Sequence, residues 1–101
     1  MAKTIYDGTY LAAGAAAAST VHSAAGRLLA ILISHAQAGV QTVTFYDNTA
    51  ASGTVIMKLN VDPTRCPYYV EFPRNAGIAF ATGLHVVNGW CNMNIWSVDY
   101  G

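Results

Sequence analysis

Charge is scarce in this chain. Its 101 residues include 5 Lys and Arg and 5 Asp and Glu, less than half the roughly one-quarter share of charged residues in an ordinary soluble domain. A lone molecule would have little with which to keep its surface hydrated and unassociated, so the deficit points to surface covered by other subunits. By surface scaling, a chain of this mass exposes roughly 5,500 Å², and two standard contacts of about 800 Å² each would cover near 30% of it. The cations Lys3, Arg27, Lys58, Arg65 and Arg74 are scattered and the formal net charge is zero. Without a basic stripe there is no counterion release to drive nucleic-acid binding, and no attraction to an anionic membrane surface.

Long apolar runs are missing as well, although 53% of the residues are hydrophobic. The strongest run, Leu28 to Ile33, is far shorter than the roughly 20 residues of a transmembrane helix. Asp7 and Gly8 interrupt the N-terminal hydrophobicity, so the chain reads as having no secretory signal. Cysteine is limited to Cys66 and Cys91. That excludes a disulfide scaffold and predicts two reduced, partly buried thiols; a bridge between them is open only for a protein that ends up outside a cell.

Catalytic and metal-binding patterns are lacking too. No nucleophile elbow, phosphate loop or paired zinc ligands occur. His22 lies between Ser19 and Ser23, but a triad is built in space and needs a third group to orient the base. His35 and His85 stand isolated from each other and from the cysteines, whereas zinc ligands come in close pairs. Asp47 lacks the further oxygen ligands that calcium requires; with Asn48 and Gly53 it reads as part of a hairpin loop. The expectation is a non-enzymatic chain with no catalytic residue, cofactor or metal.

What is present is a succession of short runs rich in Val, Ile, Leu, Tyr, Phe and Thr, separated by Gly, Asn, Asp and Pro. Strands are predicted at 17–23, 27–35, 42–46, 54–61, 68–72, 78–81, 84–87 and 93–100. Eight antiparallel strands in two packed sheets, an all-β, jelly-roll-like sandwich over 17–101, is the architecture they imply. Alternation turns Val43 and Phe45 inward, and likewise Val55, Met57, Leu59 and Val61, then Tyr68, Val70 and Phe72.

Two strands break the alternation. In 27–35, Leu29, Ile31 and Ile33 fall on one face and Leu28, Ala30 and Leu32 on the other, so both faces want cover. Either another subunit or the N-terminal segment of the same chain supplies it. In 93–100 a change of phase between Ile95 and Trp96 predicts a bulge there. Residues 1–16, with an alanine-rich core broken by Gly14, are marginal as a helix and read as an extended arm. The arm is expected to pack on a neighbouring subunit or to anchor to a host assembly, and the candidate subunit-interface residues are Tyr6, Tyr10 and Leu11 in it together with Leu28, Ala30 and Leu32. Tyr69, Trp90 and Trp96 are candidate aromatics for a ligand or partner.

The stretch from Ala25 to Ser34, the segment Thr42-Val-Thr-Phe-Tyr-Asp-Asn-Thr-Ala-Ala-Ser-Gly-Thr-Val-Ile56 and the later Gly83-Leu-His-Val86 resemble small β-sandwich structural proteins of tailed-bacteriophage virions. The resemblance covers roughly residues 19–100, and its most distinctive part is the hairpin 46–53. Cys66, Cys91 and the Trp-rich end depart from it. It implies a capsid decoration or cement protein, assembled in the host cytoplasm into the virion. It also implies contact with the major capsid protein or other virion proteins, and a symmetric homo-oligomer such as a trimer. The alternatives are a tail or neck component, or a carbohydrate- or receptor-binding module of a tail tip or fibre.

Overall fold

The protein is seen in a computed structural model that describes residues 9–14, 17–37, 39–72 and 77–99. Its strands are β1 (Thr9–Leu11), β2 (Ala18–His22), β3 (Gly26–Ala36), β4 (Gln41–Asp47), β5 (Thr54–Val61), β6 (Tyr68–Glu71), β7 (Ile78–Phe80), β8 (Leu84–Val87) and β9 (Cys91–Asp99). One sheet has the order β1-β9-β3-β6, with β7 also on β3; the other has the order β2-β8-β4-β5. All pairings are antiparallel. The nesting is that of a hairpin rolled across two sheets: β4 with β5 at the tip, then β3 with β6, β2 with β8 and β1 with β9. This is the jelly-roll arrangement, in which two sheets share one core.

Alternation explains most of the core. Val43 and Phe45 of β4, Leu84 and Val86 of β8, Ile31 and Ile33 of β3, and Met93 and Ile95 of β9 have lost almost all their exposure. Each contributes about 1.5–3 kcal/mol by leaving water. Phe80 of β7 closes the same cluster.

The structure corrects the expected phase of several strands. Leu28 is fully buried and joins Ile31 and Ile33 in the core, because the pairing of β3 with β9 slips between Leu28 and Ala30. Leu29 is the extra residue, and past it the even positions Ala30 and Leu32 turn outward. The bulge expected in β9 therefore lies in its partner. β9 itself alternates as far as Ser97: Cys91, Met93, Ile95 and the small polar Ser97 are buried, while Asn92, Asn94 and Trp96 are only half-buried, and Val98 next to Ser97 is buried as well. Val55 is likewise 42% exposed, since a slip between Phe45 and Tyr46 pairs Tyr46 with Val55 and turns both away from the core.

The expected arm falls only partly on described residues, which begin at Thr9. Thr9–Leu11 forms an edge strand on β9 of the same chain, and Leu11 is a core residue. The following residues are held by the β8–β9 turn. Buried Asn88 donates its Nδ2 to the carbonyls of Ala12, at 3.0 Å, and Cys91, at 2.8 Å. Asn92 Oδ1 accepts from Ala13 N at 2.6 Å, and Gly14 N donates to Gly89 O.

At the opposite end Gly26 opens β3 where no side chain fits. A Cβ there would lie 2.5 Å from Val98 O and 2.7 Å from the His22 ring. His22 in turn stands edge-on to Phe80, with ring centroids 5.1 Å apart. Gly26→Ala is expected to cost about 3 kcal/mol, since one of the obstructing atoms is backbone and cannot swing aside. A urea denaturation midpoint equal to that of the unsubstituted protein would contradict this packing.

Candidate functional site

The two outer faces of the sandwich differ in chemistry. On the β2-β8-β4-β5 sheet, Thr20 pairs with His85, His85 with Tyr46 and Tyr46 with Val55; the neighbouring rows bring Thr44 to Lys58 and Thr42 to Asn60. Thr20 Oγ1 lies 3.1 Å from Thr49 O and 2.9 Å from His85 Nδ1, and Thr42 Oγ1 donates to Asn60 Oδ1. This face carries exposed Thr20, Thr42, Lys58 and Asn60 and is the more polar of the two, although Val55 is 42% exposed on it and Thr44 is buried.

The outer face of the β1-β9-β3-β6 sheet is aromatic and apolar. One row runs straight across four strands: Tyr10 opposite Asn94, Asn94 opposite Leu32 and Leu32 opposite Tyr69. The next row places Trp96 opposite Ala30 and Ala30 opposite Glu71. Tyr69 and Trp96 belong to strands on either side of β3, yet their rings meet edge to face, with centroids 6.3 Å apart. They reach each other across β3 because Ala30 between them has only a methyl group, and Ala30 is left 6% exposed on an outward face. Tyr10 and Tyr69 remain 56% and 58% exposed. Large exposed apolar patches of this kind mark contact surfaces.

Five of the nine residues singled out from the sequence, Tyr10, Ala30, Leu32, Tyr69 and Trp96, thus converge on one surface. Leu11 and Leu28 do not: they lie in their own chain's core and cannot serve a subunit contact. Trp90 is exposed but sits apart, in the β8–β9 turn, where its carbonyl accepts from Gln37 N. Tyr6 lies outside the described residues. The sequence reading missed Asn88 and Asn92, although an Asn-Gly pair at 88–89 is itself a turn signal.

The chemistry available elsewhere is slight. The Thr20–His85 pair joins a hydroxyl to an imidazole, but the carboxylate of Asp47, which follows His85's strand partner Tyr46, is committed to another task. It accepts from Ala81 N at 3.0 Å, Thr82 N at 2.8 Å and Gly83 N at 3.4 Å, closing the β7–β8 turn instead of the hairpin it begins. Asn48 caps that hairpin, through Nδ2 to Ser52 O and Oδ1 to Thr49 N, and Gly53 supplies a φ of 83°. Among the described residues no three His, Cys, Asp or Glu side chains gather as metal ligands.

Both cysteines are free thiols. Burial pushes the Cys91 thiol above its ordinary value, with the Cys66 thiol adding to it. Burial likewise raises Cys66, with the Asp62 carboxylate adding to it. Neither is activated as a nucleophile. Compared with known protein families, curated proteins and solved structures, the chain matches none.

Two outcomes follow. The amides of Ala81, then Thr82 and Gly83, hold the Asp47 carboxyl below its ordinary value against a smaller cost of burial. A group whose folded pKa is depressed stabilises above its unfolded value, near 4, and that contribution is lost as pH falls through the lower folded value. Asp47→Ala should cost about 1 kcal/mol at pH 7 after allowance for solvent screening. The difference from the unsubstituted protein should shrink in acid below about pH 4, and a difference constant with pH in melting experiments would refute the assignment. For the thiols, an aromatic disulfide reagent should titrate buried Cys91 only on unfolding and the partly exposed Cys66 before it, and prompt reaction of Cys91 in the folded protein would contradict its burial.

Proposed function

We propose that the chain is a non-enzymatic structural component of a tailed-phage virion, a decoration or cement protein that reinforces the head lattice as a homo-oligomer in contact with capsid protein. The observation that carries this reading is the division of the sandwich into one wet outer face and one aromatic outer face, which makes the molecule a tile to be covered on one side. Three further features support it. The chain has too little charge for a solitary surface. The jelly roll is an architecture used by viral capsid domains, an argument from fold analogy alone. The tip hairpin 46–53 is the most distinctive part of the resemblance to virion sandwich proteins. A lattice cement acts by mass action, since a protein that binds assembled capsomers better than free ones shifts the assembly equilibrium by that difference.

Lectins also use jelly rolls, which keeps a carbohydrate-binding tail module as the rival. Tyr69 and Trp96 meet at 75°, an edge-to-face pair that offers no extended flat platform for a sugar.

Purified virions carrying the chain should contain it in many copies, and particles depleted of it should release their genome at a lower temperature. Equal heat resistance would remove the cement role, and absence from the particle would remove the virion reading altogether. Glycan binding abolished by Trp96→Ala would favour the tail module.

A further inference from the structure

We infer that the aromatic outer face of the β1-β9-β3-β6 sheet is a two-fold interface that packs face to face on the same face of a second copy of this chain. The inference deepens the proposed assembly role and rests on that reading for its biological setting, while its geometry stands on the sheet itself.

Three properties of the face select a second copy. The first is the order of residues across it. The row Tyr10, Asn94, Leu32, Tyr69 has a tyrosine at each end, on β1 and on β6. A two-fold axis lying in the contact plane, parallel to the strands and between β9 and β3, exchanges the two edges. It carries Tyr10 of one copy over Tyr69 of the other, and Tyr69 over Tyr10. An isologous contact requires such self-complementarity.

The second is charge. The two central strands present Asn94, Trp96, Ala30 and Leu32 in these rows, none of them ionisable, and Glu71 stands at the β6 edge. The same rotation takes Glu71 to the partner's β1 edge, away from its own copy, so these two rows meet their copies without like-charge repulsion; Arg27 of β3, opposite Val98 and Ala79, lies beyond them. The tyrosine hydroxyls at the two ends of the row can each donate and accept, so Tyr10 and Tyr69 can satisfy one another across the axis, while Asn94 comes to lie over the partner's Leu32.

The third is area. β1, β9, β3 and β6 contribute 3, 9, 11 and 4 residues, which at about 3.3 Å per residue and about 4.8 Å between strands give a plane of roughly 430 Å². Two such faces bury about 850 Å², the size of a small, reversible contact. Sheets so stacked sit about 10 Å apart, the spacing within the sandwich itself. A flat face has one opposite face, which makes this contact pairwise.

Sedimentation equilibrium of the full chain tests the inference. A monomer–dimer equilibrium is expected. Leu32→Lys should weaken it on the order of 100-fold by placing like charges in the dry centre, with the circular dichroism of the fold retained because Leu32 faces outward. Tyr69→Lys, at a still more exposed site, serves if Leu32→Lys fails to fold. Thr42→Lys, on the polar outer face, should leave the equilibrium unchanged. A chain that stays monomeric up to about 1 mM would overturn the inference, as would a trimer, a dimer indifferent to both face variants or one equally sensitive to Thr42→Lys. A monomer whose aromatic face instead binds capsid protein would assign the face to that partner. Absence of the chain from virions with the dimer intact would count against the proposed function and leave this interface standing.

Discussion

The antiparallel ladder between β3 and β9 is the constraint on which the rest of the molecule depends. These are the two longest strands, paired from Gly26 with Asp99 to Ala36 with Cys91, and every other strand of their sheet hangs from one or the other. Their inward side chains, Leu28, Ile31, Ile33, Met93 and Ile95, form the floor of the core. The slip at Leu29 sets which residues face which way. Without it Leu28 and Ile31 could not both point inward, because side chains three apart on a regular strand fall on opposite faces. One inserted residue therefore both completes the core and delivers Ala30 and Leu32 to the outside.

That delivery gives the molecule its sidedness. A two-sheet sandwich has two outer faces, and nothing in the architecture requires them to differ. Here the threonines, His85, Asn60 and Lys58 collect on one, and Tyr10, Leu32, Tyr69 and Trp96 on the other. The scarcity of charge in the whole chain is thus concentrated in effect: the wet face keeps enough hydrogen-bonding groups to remain solvated, while the aromatic face has a single amide, Asn94, in its central row. The proposed role in a virion and the inferred self-contact both follow from this asymmetry.

Local pattern made the strands legible. Thr54–Val61 and Leu84–Val87 coincide with their predicted bounds, and the inward placement of Val43 and Phe45 was readable from alternation. So was the hairpin at 48–53, because β4 and β5 are the one pair of consecutive strands hydrogen-bonded directly to each other among the described residues. The pairing of β2 with β8, or of β1 with β9, leaves no local trace. β1 is three residues long and takes its form from a strand more than 80 residues away. Asp47 was legible as a turn former, but the amides that donate to it lie 34–36 residues further on, beyond the reach of a turn rule. On the aromatic outer face, the exposed tyrosines were recognisable by type. Leu28 was misplaced because a bulge inverts face assignments without altering composition.

The stapling of the N-terminal segment onto the β8–β9 turn has a consequence for the order in which the fold can be made. Leu11 and Ala12 leave the ribosome long before Asn88, Met93 and Ile95, the groups that anchor them, have been synthesised. β3 must wait for the same late residues. Until β9 emerges, an entire sheet lacks its central rung, and the greasy strand from Leu28 to Ile33 stays uncovered. Completion of this sheet is in this sense deferred until β9 has been synthesised, a consequence of its long-range pairings.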